Sequence, residues 1–350
     1  MPLILAWAVS TLGGCAPESE IASLEDEDIA GSSAQALSAP ELCDTVFSRE
    51  HLIDVGDGVQ LHVLERFTGR SLLRHPRRAM LMIPATLTNN DLYDARVNDD
   101  PSYNALETMA REGFFAYSVN YEGYGLSTHP EDGKSVTFER SLEQMARVIR
   151  WIRHRRFVSK VDVLGTSVGS DLAIALGGLQ NPDNHRHVGH IVLTAVVYRA
   201  FTPFVQETVF TPEFEAFLRS IPGGYLQTSP EFYAPVMTAM DPDAQAWLQA
   251  TAPDVYALGP TLEAFDLPAT DGSLGRAPAL LFYGTADPVT ARDDVYGLQA
   301  EYGGTLEIVE LEGGAHSSFL EPVRHQFWDE TLSFLTADEQ FSINACDYLH

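Results

Sequence analysis

The chain has 350 residues, 45% of them hydrophobic, enough for one large domain or two modest ones with a packed core, and too apolar for a disordered polymer. With 49 acidic against 22 basic residues its formal charge is -27. Nucleic-acid binding draws on cationic side chains that neutralise phosphates, so this charge argues against it, and strongly anionic substrates would be repelled at low salt. One basic cluster, Arg150, Arg153, Arg155 and Arg156, has helical spacing and is expected to be a solvated helix end, where positive charge suits the macrodipole.

The chain opens with "MPLILAWAVSTLGGC", an apolar run closed by small residues and too short to span a bilayer as a helix. This is the pattern of an export signal, and its ending "LGGC" resembles the bacterial lipoprotein signal, although no Lys or Arg precedes the run. The resemblance implies residues 1–15 as a signal ending at Cys15, acylation of Cys15, export, and a lipid anchor in a membrane of the bacterial cell envelope. The other reading is an unstructured N-terminus. Residues 16–45, acidic and without Lys or Arg, fit a flexible tether. With Cys15 lipidated, Cys43 and Cys346 remain; they can pair in an oxidising compartment or stay as two free thiols.

From residue 46 the pattern predicts a hairpin, "VFSREHLIDV" and "VQLHVLERF" joined by "GDG". Then come the strand "AMLMIP", a helix over "SYNALETMAREG", the strand "FFAYSVNY" and a long helix over "TFERSLEQMARVIRWIRHRR". "VDVLG", "SDLAIALGGL" and "HIVLTAVVY" continue the alternation, and "PALLFYG", "ARDDVYGLQAEYG", "TLEIVEL" and "EPVRHQFWDETLSFL" complete it. Apolar strands between amphipathic helices imply an α/β fold with a mostly parallel central sheet covered by helices on both faces. Residues 46–198 and 278–336 form this core; residues 199–277, rich in Pro, Phe and Tyr, read as a largely helical cap insertion, and 337–350 as a C-terminal tail.

In "DVLGTSVGS", Gly165 and Gly169 flank Ser167 two positions away on either side, between a predicted strand and a predicted helix. A serine becomes a nucleophile only with exposure, a base and donors for an oxyanion. A sharp glycine-flanked turn lifts the hydroxyl above the sheet, and the helix starting near Val168 aims its amides at the same point. These residues resemble the nucleophile elbow of the α/β-hydrolase superfamily of esterase- and lipase-like serine hydrolases, over about residues 46–336. The superfamily's order of nucleophile, acid and histidine implies Asp287 in "LFYGTADPVT" as the acid and His316 in "LEGGAHSSFLEP" as the base, with Asp266 and Asp271 as second choices for the acid. It also implies oxyanion donors at the amides of Val168 and Thr86, although "LMIPATLTNN" has Pro84 and Ala85 where many members carry His-Gly.

The resemblance implies hydrolysis of carboxylic esters through an acyl-enzyme intermediate, with no metal and no organic cofactor. Acyl transfer by the same triad, or a non-catalytic binding lipoprotein of the same fold, are the alternatives. An aminopeptidase is less favoured, since the insertion offers no obvious acidic site for a free amino terminus. Phe201, Phe204, Phe210, Phe214, Phe217, Tyr225, Phe232 and Tyr233 are expected mainly to pack the insertion on the sheet. They should leave an apolar cavity for a small-molecule ester with an acyl or aryl part. Glu122 in "VNYEGYGLST" reads as structural. His185, His187 and His190 invite a metal reading, but their place at the start of a strand, opposite the predicted site, speaks against it.

Overall fold

The computed structural model describes residues 38–229, 237–252, 254–265, 267, 270–337 and 343–348. Cys15 with its signal, residues 16–37 of the tether, Phe232, Tyr233 and Asp266 lie outside these residues; the end of the tether departs from expectation, since Ala39–Asp44 is a helix whose Glu41 amide is capped by the Ser38 side chain. Eight strands form the main sheet: β1 (Phe47–Asp54), β2 (Gln60–Phe67), β3 (Arg78–Ile83), β4 (Phe114–Val119), β5 (Val161–Thr166), β6 (Val188–Thr194), β7 (Ala279–Gly284) and β8 (Leu306–Leu311). Their spatial order is β1-β2-β4-β3-β5-β6-β7-β8. β2 pairs antiparallel with both β1 and β4, and all other neighbours run parallel. The opening hairpin turns at Gly56, Asp57 and Gly58, all at positive φ, a run that glycine and aspartate tolerate best.

The interior parallel strands are largely apolar on both sides because each face meets helices, whereas the edge strand β8 exposes Glu307 and Glu310. In β3, Ala79, Leu81 and Ile83 enter one core cluster and Met80 and Met82 the other; in β7, Leu281 and Phe282 divide the same way. The helices Phe138–Arg156 and Val168–Leu176 pack on the first face, Ala105–Arg111 and Arg324–Thr336 on the second.

Among its described residues the long connection between β6 and β7 contains the short helices Pro203–Thr208, Pro212–Ser220, Pro242–Thr251 and Gly259–Glu263, plus an antiparallel pair, Tyr225–Gln227 with Val255–Ala257. Its prolines do not oppose helix here. Pro203, Pro212 and Pro242 each stand at a helix start, where no amide partner is needed, and the Thr202 and Thr211 side chains cap the amides of Val205 and Phe214.

Cys43 and Cys346 form a disulfide across a sequence separation of 303 residues, with Cα atoms 5.9 Å apart. It ties the helix Ala39–Asp44 to the turn Ala345–Tyr348, next to a two-residue pairing of Arg74 and His75 with Ile343 and Asn344. In the chain-entropy account, closing a loop of this length contributes about 6 kcal/mol by restricting the unfolded chain.

The basic helix end departs from expectation at Arg156. Arg153 is half exposed and bonds the Ser159 carbonyl, but Arg156 is buried. Its Nε donates to Glu65 Oε1 at 2.8 Å and to the Tyr117 hydroxyl at 3.0 Å. His51 Nε2 lies 2.8 Å from Glu65 Oε2, so a fully buried carboxylate is surrounded by partners on three elements. Burial pushes Glu65 up, but the His51 hydrogen bond and the Arg156 charge more than offset it and bring it to about 2. A carboxyl lowered on folding contributes stability above its unfolded value of about 4.3 and loses it as pH falls through the folded value. Glu65→Ala is therefore expected to lose about 3–5 kcal/mol in denaturant unfolding at neutral pH. Glu65→Gln should flatten the loss of stability between about pH 4 and about pH 2. Wild-type stability in both variants would contradict this account of the cluster.

Candidate active site

Ser167 sits between β5 and the helix Val168–Leu176 with φ 55° and ψ -125°, a conformation that a residue with a side chain adopts only under constraint. The glycines around it answer to close backbone approach. A methyl group on Gly165 would strike the Gly169 carbonyl, and one on Gly169 would strike the Ile83 carbonyl at the end of β3. The turn is held further by the Ser167 amide, which donates to Thr194 O at 3.0 Å. Ser170 Oγ lies 2.7 Å from Gly165 O and 2.9 Å from Thr194 O.

Asp287 follows β7 and His316 follows β8, and the two converge: His316 Nδ1 lies 3.0 Å from Asp287 Oδ2 and 3.2 Å from Oδ1. Asp287 Oδ1 also accepts from the amides of Val289 at 2.8 Å and Thr290 at 3.3 Å, the side chain closing its own turn. Burial pushes the Asp287 carboxyl up, yet the His316 charge, the bond to His316 and the Val289 amide hold it below the ordinary aspartate value. Burial pulls His316 down, but the Asp287 carboxylate, by charge and hydrogen bond, and the Glu321 charge leave it above the ordinary histidine value. Glu321 is fully buried and accepts from the amides on both sides of the histidine, Ala315 at 2.6 Å and Ser317 at 2.9 Å.

Ser167 and His316 line one cavity beyond the carboxyl ends of the parallel strands, where open α/β sheets place their ligands. Among the described residues no hydrogen bond joins Ser167 to His316, and such bonds commonly tighten only when substrate is bound. Val168 and Thr86 line the same cavity, and the amide of neither appears in a hydrogen bond among the described residues. The loop carrying Thr86 is fixed by tyrosines. Tyr121 donates to Pro84 O at 2.8 Å, Tyr93 to Ile83 O at 3.0 Å, and the Leu87 amide donates to the Tyr124 hydroxyl at 3.3 Å. Thr88 Oγ1 lies 2.8 Å from Ala85 O, which tightens the turn from within.

The aromatic residues of the long connection divide their roles. Phe201, Phe210 and Phe214 line the cavity with Leu87, Val197 and Val289, whereas Tyr225 bonds Pro130 O at 2.7 Å away from it. Phe204 and Phe217 are more than half exposed. Phe201, Phe210 and Phe214 therefore do both things expected of the cluster, packing in apolar clusters of the connection and lining an apolar cavity.

Other candidates lie elsewhere. Asp271 caps the turn Gly272–Leu274 through the Ser273 amide. His185 and His187 share a single turn at the amino end of β6, and His190 Nδ1 lies 3.0 Å from Asp162 Oδ1 at that same end. Glu122 is buried and accepts from Arg140 and Gln144, which binds its loop to the helix Phe138–Arg156. Sequence reasoning missed Ser170, Glu321 and the three tyrosines. The available signal was their hydroxyl and carboxyl groups inside otherwise apolar stretches beside the motif.

The sheet order, the elbow after β5 and the paired acid and histidine after β7 and β8 define a protein of the α/β-hydrolase fold. Residues 103–323 match the family model described as serine aminopeptidase, S33, and the chain belongs to this hydrolase family. No curated protein sequence matches it. Among solved structures it is similar to a soluble variant of monoglyceride lipase from Saccharomyces cerevisiae, with a TM-score of 0.66 at 10% identity, covering 84% of this chain and 95% of that one. A hydrolase from Pseudomonas aeruginosa gives 0.58 at 19% identity, covering 82% and 98%. An esterase from Exiguobacterium antarcticum gives 0.55 at 19%, covering 81% and 98%.

Because the folded His316 value lies above the unfolded one, its pairing contributes stability that is complete below the unfolded value and is lost as pH rises through the folded value. Asp287 acts at the other end, contributing above its unfolded value and losing that as pH falls through the folded one. NMR titration of the His316 ring is expected to give a midpoint above that of a free histidine, displaced downward in Asp287→Asn. A midpoint insensitive to that substitution would show that Asp287 does not set it.

Proposed function

We propose that this chain is an exported, membrane-tethered serine hydrolase that cleaves carboxylic esters through an acyl-enzyme intermediate. The observation that carries the reading is the cavity shared by Ser167 and by a His316 ring whose far nitrogen is held by Asp287. In this mechanism His316 Nε2 takes the Ser167 proton as the hydroxyl oxygen attacks the ester carbonyl carbon. The oxyanion is held by the Val168 and Thr86 amides, supported by the amino end of the helix Val168–Leu176. Collapse breaks the bond to the alcohol oxygen, which leaves with the proton from His316; water, deprotonated by the same ring, then releases the acid and restores Ser167. Asp287 keeps the ring in the working tautomer and stabilises its charged form. No step calls for a metal or organic cofactor.

The apolar lining supports an acyl or aryl group over a charged peptide end. The carboxyl among the described lining residues is Asp171, which burial pushes well above the usual range, so it is a poor partner for an ammonium group. The Cys43–Cys346 bridge supports an oxidising compartment, consistent with export from the "LGGC" signal and acylation at Cys15.

Ser167→Ala and His316→Ala are each expected to lower turnover of short-chain esters by about a thousandfold or more, Ser167→Ala with the melting temperature preserved and His316→Ala still folded but less stable, since it leaves the buried Asp287 carboxylate without its partner. Near-normal turnover in either would remove the triad assignment. In a lipoprotein-processing bacterial host, fatty-acid label should enter the wild-type chain and not Cys15→Ser; equal labelling of both would remove the anchor.

A further inference from the structure

Two residues that line the cavity each carry a buried polar atom left unmatched. Asp171 Oδ1 and Thr261 Oγ1 make no hydrogen bond among the described residues, on residues only 1% and 2% exposed. Asp171 stands four residues after Ser167, on the first turn of the helix that starts at the elbow, and so lies one turn along from the nucleophile. Thr261 comes from the short helix Gly259–Glu263 in the connection between β6 and β7. One group therefore reaches the cavity from the sheet's own layer and the other from the segment that covers it. Folded proteins keep few unpaired buried polar groups, and two that meet the same substrate cavity call for a partner that arrives with the substrate.

The chemistry of that partner follows from the pair. Burial, with the Asp294 charge next, pushes the Asp171 carboxyl well above the usual range, toward the neutral acid that donates as well as accepts. An ammonium group would have to shed its hydration and force the carboxyl to ionise within an apolar enclosure. A carboxylate would enter a cavity whose described lining carries no Lys or Arg. A hydroxyl satisfies both groups without charge, accepting from one and donating to the other.

We propose that Asp171 and Thr261 form a polar subsite that selects esters carrying a free hydroxyl on the part buried in this cavity. This rests on the ester-hydrolase reading and deepens it. The hydroxyl can belong to the acyl chain or to the alcohol, and the same pair would recognise either.

The test measures kcat/KM on matched short esters. One arm compares ethyl butyrate with the ethyl hydroxybutyrates; the other compares butyl acetate with the butanediol monoacetates; ethyl aminobutyrates serve as the charged control. The wild-type protein should favour at least one hydroxylated ester by about tenfold or more, since a site built for a hydroxyl discriminates against its absence. The arm that shows the preference identifies which side of the ester lies against Asp171. The ratio of hydroxylated to plain ester should fall toward one in Asp171→Leu and in Thr261→Val, and should largely survive in Asp171→Asn, whose amide still donates and accepts. Because each readout is a ratio within one protein preparation, partial loss of folded material does not move it, and Thr261→Val tests the pair should Asp171→Leu fail to fold. Plain esters turned over with no hydroxyl preference, a preference untouched by these substitutions, or the strongest preference for an aminobutyrate would overturn the subsite and leave the hydrolase reading standing. Failure to turn over any of the esters would instead remove the ester-hydrolase reading, and the subsite with it.

Discussion

The backbone at Ser167 is the constraint on which the rest of the site depends. A serine at φ 55° carries a local cost of order 1–3 kcal/mol, and it persists only where its surroundings leave the chain no other path. Here the end of β3, the start of the helix Val168–Leu176 and the end of β6 press against the turn from three sides. Gly165 and Gly169 are the two points at which backbone meets backbone too closely for any side chain. The strain places the hydroxyl above the edge of the sheet, with the helix amides beneath it. Without it, Asp287 and His316 would be paired beside nothing to activate.

Around this turn the site is organised by buried polar groups that never touch the cavity's centre. Glu321 fastens both amides flanking His316, and Tyr93, Tyr121 and Tyr124 anchor the backbone from Ile83 to Leu87 on the opposite wall. Each satisfies a group that would otherwise be costly to bury, and each fixes a loop that lines the cavity and carries His316 or Thr86. Asp171 and Thr261 break this pattern, since their neighbours in the protein leave them unmatched. Among the described residues other buried side-chain atoms also lack a partner, but Asp171 and Thr261 belong to residues that line the cavity, and that place makes them informative about the substrate.

Much of this was legible in the chain itself because it rests on local signals. Apolar runs such as "ALLFYG", the left-handed turn at "GDG" and the spacing of Gly165, Ser167 and Gly169 each express a requirement of neighbouring residues. Asp287 and His316 were reached through the superfamily resemblance, whose order of nucleophile, acid and histidine could be laid on the predicted strands. What stayed hidden depends on partners distant in sequence. Arg156 looked like one more charge on a solvated helix end because its partner, Glu65, lies on β2, ninety-one positions earlier. Whether Cys43 meets Cys346 is likewise decided by where the two ends of the chain lie in space. The phenylalanines of the long connection could be recognised as a cluster, but only the arrangement of its short helices decides which rings face the cavity.

The central claim is that the elbow presents an activated serine. The most direct measurement treats folded protein lacking residues 1–17 with a fluorophosphonate and locates the modified residue by mass spectrometry after digestion. The account predicts one adduct, on Ser167, that disappears in His316→Ala while the variant remains folded. An adduct at another residue, or one on Ser167 that forms equally well without His316, would contradict it.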